Sequence, residues 1–130
     1  MISSYGDNTG RAVTQDEFFA GWEESRRLFE AVRSAVEAIG PVQSRVGKSQ
    51  VSFSRRRAFA WVWIPGRYLR GTHAPLVLTV SLHRHDASPR WKQVVESAPG
   101  RFTHHLELHA PADIDDAVRA WLREAWAAAK

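Results

Sequence analysis

Alternation of apolar and polar residues predicts a β-sheet across the middle of the chain. The clearest strand is Leu76–His85, where leucine or valine takes every second position up to Leu82, as in a strand with one buried face. Weaker alternation predicts strands at Lys48–Ser54, Ala58–Ile64 and Phe102–His109, and a short edge strand at Val42–Val46. Since consecutive strands joined by short turns pair antiparallel, we expect an antiparallel sheet of four to five strands.

Helical signals flank this sheet. Thr14–Glu17 forms a capping box that starts an N-terminal helix, and Gly40-Pro41 ends it. An irregular apolar stripe around Gly21 leaves open a break into a short first helix and a longer second one. Ser88-Pro89 is typical of a helix start and predicts a short middle helix, ended by Pro99-Gly100, whose inward side chains are Trp91, Val94 and Val95.

A last helix is predicted at Pro111–Ala129. Its apolar face consists of Ile114, Val118, Trp121, Leu122 and Ala125. We expect this face to pack on the apolar side of Leu76–His85. The order of elements predicts a two-layer α+β domain, with all helices on one face of the antiparallel sheet.

Composition bounds the class of protein. The 130 residues suit one domain, and we expect a flexible tail at residues 1–13 followed by a single α+β domain at residues 14–130. The absence of cysteine excludes disulfides, thiolate zinc sites and a thiol nucleophile. The N-terminal residues lack an apolar signal-peptide core, and the longest apolar run, Ala58–Ile64, is too short to cross a bilayer. We therefore expect a bacterial cytoplasmic protein without a membrane partner.

Positive charge is concentrated in the predicted sheet. Residues 43–92 contain ten Lys or Arg and one acidic residue, a net charge of +9, whereas the segments on either side are net negative. Such a region can attract an anionic partner. The alternative is an ordinary solvated surface in a protein rich in arginine.

Several short segments, in their order along the chain, resemble a known family. They are 48–53 (KSQVSF), 57–63 (RAFAWVW), 74–79 (APLVLT), 88–91 (SPRW), 104–108 (HHLEL) and the closing helix 113–129. Together they resemble the bacterial family described as domain of unknown function 5655, over about residues 14–129, with a weaker likeness to small YdhG-type domains. The resemblance implies a small α+β domain, alone or appended to larger proteins, and brings no established activity or catalytic residue.

Histidines on the predicted strands are candidate metal ligands. His105, Glu107 and His109 alternate with leucines and would share one side of their strand, and His83 and His85 could join them from a neighbouring strand. Two histidines and a carboxylate form the ligand set of some iron and zinc sites. A solvated sheet face or a metal-free polar pocket would explain the same residues. We therefore predict no cofactor and keep a divalent metal as the alternative.

Arg55, Arg56 and Arg57 lie at the predicted tip of the first hairpin. Guanidinium groups there could grip phosphate, and Arg67, Arg70, Lys48, Trp61, Trp63 and Tyr68 could extend a surface for nucleic acid. A charged hairpin tip also blocks edge-to-edge pairing of sheets, which is its more common role. Nucleic acid is therefore an alternative partner and not the favoured one.

The leading interpretation is a non-catalytic binding or accessory module. Phe59, Trp61 and Trp63 form a stripe that is typical of a core but could also line a ligand pocket. No catalytic residues are predicted, because Ser81 with His83 or His85 lacks a nucleophile-elbow motif and no glycine-rich phosphate loop occurs. The candidate ligand surface is the sheet face opposite the helices, lined by Arg55, Arg56, Arg57, Trp61, Trp63, Tyr68, His105 and Glu107, for a small molecule or an anionic partner.

Overall fold

The protein is a two-layer α+β fold, seen in a computed structural model that describes residues 13–130. Helices α1 (Gln15–Phe19), α2 (Glu23–Glu37) and α3 (Asp116–Ala128) form one layer. The strands of the other layer are β1 (Gln43–Val46), β2 (Val51–Ser54), β3 (Ala58–Trp63), β4 (Leu76–Leu82), β5 (Gln93–Ala98) and β6 (Arg101–Leu108). The predicted fold class is confirmed, and the sheet is larger than the four to five strands expected.

The sheet is antiparallel at every strand pair, in the order β1-β2-β3-β4-β6-β5. β4 lies in the interior of the sheet, between β3 and β6, and α3 packs against it. Leu76, Leu78 and Val80 are fully buried on the same core as Val118 and Leu122 of α3, which confirms the predicted packing of that helix.

The N-terminal helix is broken near Gly21 into a short and a long helix, which was one of the two alternatives that the sequence left open. The Thr14 hydroxyl accepts from the Glu17 N–H, and the Glu17 carboxylate accepts from the Thr14 N–H, so the capping box is formed. The chain then turns at Gly21, whose φ of +81° favours glycine, before α2 starts. This break lets both Phe18 and Phe19 reach the core, where each is 1% exposed.

The predicted middle helix is wrong. Residues 88–91 form a turn, in which the Ser88 N–H donates to Asp86 and the Arg90 N–H donates to the Ser88 hydroxyl. Trp91 is buried as expected, but Val94 and Val95 belong to β5, which pairs with β6 through a hairpin at Pro99-Gly100. The physical reason is that β6 needs a partner for its outer backbone groups, and residues 93–98 supply one.

One further expectation needs correction, and another is not tested. β4 has two buried faces, because Val77 and Thr79 are only 4% and 6% exposed beside the aromatic and polar side chains of β3 and β6. The flexible tail predicted at residues 1–13 lies outside the described residues except for Val13, which packs against the core.

Candidate functional site: a groove on the open sheet face

The sheet face opposite the helices carries a row of side chains that crosses all six strands. Cross-strand pairing places these residues in line: Arg45, Ser52, Trp61, Thr79, His105 and Gln93. A second row joins Trp63, Val77 and Glu107. Since directly paired residues share a face, residues distant in sequence become neighbours here.

An aromatic cavity of about 380 Å³ opens on this face. Trp61 and Trp63 are half-buried in its wall, and the ring centroid of Tyr68 lies 6.3 Å from that of Trp63. Its other lining residues are Ser49, Gln50, Thr79, Thr103 and His105. Among the described residues, the indole N–H groups of both tryptophans have no hydrogen-bond acceptor, so they are available to a ligand.

A second cavity of about 350 Å³ adjoins the first and shares Trp63 and His105 with it. The loop after β3 contributes Leu69 and Arg70 to its wall, and Glu107 of β6 lines it beside Lys92. The Lys92 Nζ lies 3.3 Å from a Glu107 oxygen. We call the first cavity the aromatic lobe, the second the charged lobe, and the two together the groove.

His105 lies where the two lobes meet. Its Nδ1 is 2.8 Å from the hydroxyl of Thr79, and its Nε2 has no hydrogen-bond partner within residues 13–130. Partial burial, together with the neighbouring His104, lowers the pKa of His105 below its usual range. The imidazole is therefore neutral near pH 7, and its Nε2 can donate to or accept from a ligand, depending on the tautomer.

The predicted metal ligands do not come together. His105 and Glu107 share the open face, but β6 ends at Leu108 and His109 is exposed in the following turn. His83 and His85 are exposed beyond the end of β4, and the His85 ring packs beside Phe102. Across residues 13–130, no group of three or more His, Cys, Asp or Glu side chains could hold a metal ion.

The three arginines of the first hairpin lie at the opposite end of β2 and β3 from the aromatic lobe. The backbone N–H groups of Arg56 and Arg57 donate to the carbonyl of Ala129, at the end of α3. The Arg55 guanidinium lies 3.6 Å from the centroid of the Trp126 ring. The hairpin tip thus caps α3 on the helical side of the sheet, and these arginines do not line the groove.

Tertiary contacts engage part of the basic segment 43–92, and three of its ten basic side chains, Arg84, Arg90 and Lys92, pair with carboxylates. Arg84 pairs with Asp86 and Glu124, Arg90 pairs with Asp115, and Arg67 donates to the Phe18 carbonyl. Within the described part of the chain, Arg45, Lys48 and Arg70 beside the groove and Arg56 and Arg57 at the hairpin tip keep side chains without such partners. The basic side chains without a tertiary partner are therefore divided between these two places.

Sequence reasoning identified the aromatic and histidine members of the groove and missed its floor and rim. Ser49, Gln50, Thr79 and Thr103 lie within predicted strands and Leu69 lies in a predicted loop, and the sequence pattern marks none of them as a candidate site residue. One signal was available, since Thr79 and His105 lie opposite the leucine faces of their predicted strands and the stripe that contains Trp61 left a pocket open as an alternative to a core. Their alignment required the strand register.

The fold and the groove define this protein as a small α+β domain with an aromatic groove on its open sheet face. Residues 15–129 match the family described as Domain of unknown function (DUF5655), and the chain belongs to this family. No curated protein and no solved structure matches it, and the weaker likeness to YdhG-type domains is not shown. Within residues 13–130, no helix is both long and apolar enough to span a membrane.

Proposed function

We propose that this domain is a non-catalytic binding module that holds a small planar ligand in the groove of its open sheet face. The observation that carries the proposal is that Trp61, Trp63 and His105 line one cavity. Within residues 13–130, the two indole N–H groups and the His105 Nε2 have no hydrogen-bond partner. A volume of about 380 Å³ lies within the range of roughly 300–1,000 Å³ that is typical of small-molecule sites.

The chemistry of the lining supports a planar ring. Indole faces stack favourably on flat π-systems, and the Trp63 and Tyr68 rings, inclined at 45° to each other with centroids 6.3 Å apart, form an aromatic wall against which a planar ring can pack. Thr79 orients the imidazole of His105 by its hydrogen bond, which presents Nε2 as a fixed polar contact. The rim residues Tyr68 and Leu69 are 55% and 53% exposed, and a bound ligand would cover part of their apolar surface.

Titration of ¹⁵N-labelled protein with indole and quinoline tests the proposal, with cyclohexanol as a non-planar control. The indole N–H signals of Trp61 and Trp63 should shift with the planar probes and stay in place with cyclohexanol. Trp63→Leu should weaken binding about fivefold, as expected from losing ~1 kcal/mol of ring stacking. The matched control is Val95→Ala, because Val95 is an exposed apolar residue of β5 that lines neither lobe.

The proposal is wrong if planar probes leave both indole signals unmoved in folded protein. It is also wrong if cyclohexanol shifts them equally, since that would indicate an unselective apolar surface. The mapping in the unmodified protein keeps the test decisive even if Trp63→Leu does not fold.

Other expectations remain proposals beside this one. Single-stranded nucleic acid could use the same aromatic face, because bases stack on exposed rings and the basic side chains around the groove could follow a phosphate backbone. A metal on His105 and Glu107 would need further ligands from outside the described residues. The bacterial origin and cytoplasmic location stay predictions from the sequence.

A further inference from the structure

We infer that the ligand of the groove is a small anion, a planar ring that bears one acidic substituent such as a carboxylate or a phosphate. The ring occupies the aromatic lobe, and the acidic group lies in the charged lobe against Arg70. This inference rests on the proposed function and names the class of ligand.

The charges around the groove favour an anion. Within residues 13–130, Arg70 and Lys92 line the charged lobe, against one lining carboxylate, Glu107. Two more cationic residues flank the groove, since Arg45 lies in the row that crosses the sheet face and Lys48 precedes the lining residue Ser49. Lys92 and Glu107 pair with each other, so three positive charges are left without a counter-charge within residues 13–130. His105 adds none, because its lowered pKa keeps it neutral near pH 7.

Aromatic and charged side chains are separated between the two lobes. Among the described residues, none that lines the aromatic lobe is an acid, lysine or arginine, whereas Arg70, Lys92 and Glu107 line the charged lobe. Trp63 and His105 line both lobes, so the lobes are contiguous and one ligand can extend across them. A ligand that is aromatic at one end and acidic at the other fits this division, whereas a neutral ring leaves the charged lobe without a counter-charge.

The loop that carries Arg70 is anchored on both sides of that residue. The backbone N–H groups of Tyr68 and Leu69 donate to the Pro65 carbonyl, and the His73 Nε2 lies 3.1 Å from the Leu69 carbonyl oxygen. Because these contacts already hold the loop beside the charged lobe, binding a ligand against Arg70 costs little further chain entropy. A guanidinium at that position can bind a carboxylate or a phosphate through two parallel hydrogen bonds.

Three probes with the same ring separate the contributions of ring and charge. Indole is neutral, indole-3-acetate is anionic and tryptamine is cationic at pH 7. Affinities from ¹H–¹⁵N titrations should place indole-3-acetate about tenfold tighter than indole, the gain expected from a charge-assisted hydrogen bond, and tryptamine weaker than both. Phenyl phosphate and benzoate then distinguish a phosphate from a carboxylate source.

Substitutions of charged residues test which side chain recognises the acidic group of the ligand. Arg70→Gln should abolish the advantage of indole-3-acetate over indole, whereas Arg57→Gln, an exposed arginine away from the groove, should leave that advantage intact. Glu107→Gln should strengthen indole-3-acetate binding several-fold, because Glu107 is the only carboxylate among residues 13–130 that lines the groove.

The outcomes separate this inference from the proposed function. If all three indoles bind equally, or if Arg70→Gln has no effect, the ligand-class inference is wrong and the binding module stands. If no planar probe binds, the proposed function itself fails. If a dodecamer of thymidylate binds far more tightly than indole-3-acetate, and binding weakens with salt and with Arg45→Gln, the occupant is a nucleic-acid strand and the small-anion inference is overturned.

Discussion

His104 and His105 are adjacent residues with opposite environments. His104 is fully buried in the core, where its Nε2 accepts from the Asp86 N–H at 3.0 Å and its Nδ1 therefore donates to the Phe102 carbonyl. The Trp91 ring packs 4.8 Å from the His104 ring, and its indole N–H donates to Asp86. Burial lowers the pKa of His104, so this core position holds a neutral imidazole with both nitrogens satisfied.

This burial predicts a loss of stability in mild acid. Because the folded pKa of His104 lies below its ordinary value of 6.5, the unfolded chain binds more protons as the pH falls below that value. The free energy of unfolding should therefore be greatest above about pH 6.5 and decrease toward pH 5. Urea denaturation at several pH values, with an NMR titration of the His104 ring, measures both effects.

His105 contributes to the same window with the same sign, because its pKa is also lowered. His105→Gln is the matched control and should keep part of the pH dependence. Flat stability between pH 7 and pH 5 in that variant, or a His104 ring that titrates at its ordinary pKa, would contradict the prediction.

At the scale of elements, the turn between β2 and β3 is joined to the end of α3. The tip supplies two backbone donors to the Ala129 carbonyl, and Arg55 adds a hydrogen bond to the Trp126 carbonyl at 3.3 Å. Positive charge near a helix C-terminus is favourable, because the last carbonyl groups carry partial negative charge. The turn that carries the three arginines therefore links the sheet to the C-terminal end of α3.

Arg55→Ala should lower the free energy of unfolding by about 1–2 kcal/mol, since it removes a stacked, half-buried guanidinium. Arg56→Ala is the control, because its exposed side chain has no partner within residues 13–130 while its backbone N–H bond survives the substitution. Chemical denaturation of both variants provides the comparison. Equal midpoints would mean that the contact of Arg55 with Trp126 adds nothing to stability.

At the scale of the whole molecule, the groove is connected to the helical layer through the base of the loop after β3. A Cβ added at Gly66 would lie 2.7 Å from the Trp22 ring and 3.1 Å from the His73 ring. Trp22 precedes α2, and His73 secures the loop that carries Tyr68 and Arg70. The shape of the groove therefore depends on packing between the two layers.

Gly66→Ala should destabilise the fold by about 1–3 kcal/mol through overpacking and should also weaken binding of indole in the groove. Gly40→Ala is the matched control, because its added Cβ would lie 2.6 Å from the Trp126 ring, away from the groove. That variant should lose stability but keep indole affinity. Thermal unfolding and the indole titration test this together. Equal indole affinity in the two variants would mean that packing between the layers at Gly66 does not determine the shape of the groove.

The amino-acid sequence determined those features that depend on neighbours a few residues away. The capping box at Thr14–Glu17, the stop at Gly40-Pro41 and the apolar faces of β4 and α3 follow from local hydrogen bonding and from side-chain periodicity. The family resemblance was also visible in the ordered segments. These signals were sufficient for the α+β class and for most of the strands.

Tertiary structure alone decided the features that depend on distant partners. Residues 93–98 became a strand because β6 offered a hydrogen-bonding edge, against the helix signal at Ser88-Pro89. Strand register brought Trp61, Thr79 and His105 together, and packing turned Arg55 toward α3 and left Arg70 at the groove. The physical reason is that pairing and burial energies act between residues far apart in the chain, so local patterns do not specify which side chains meet.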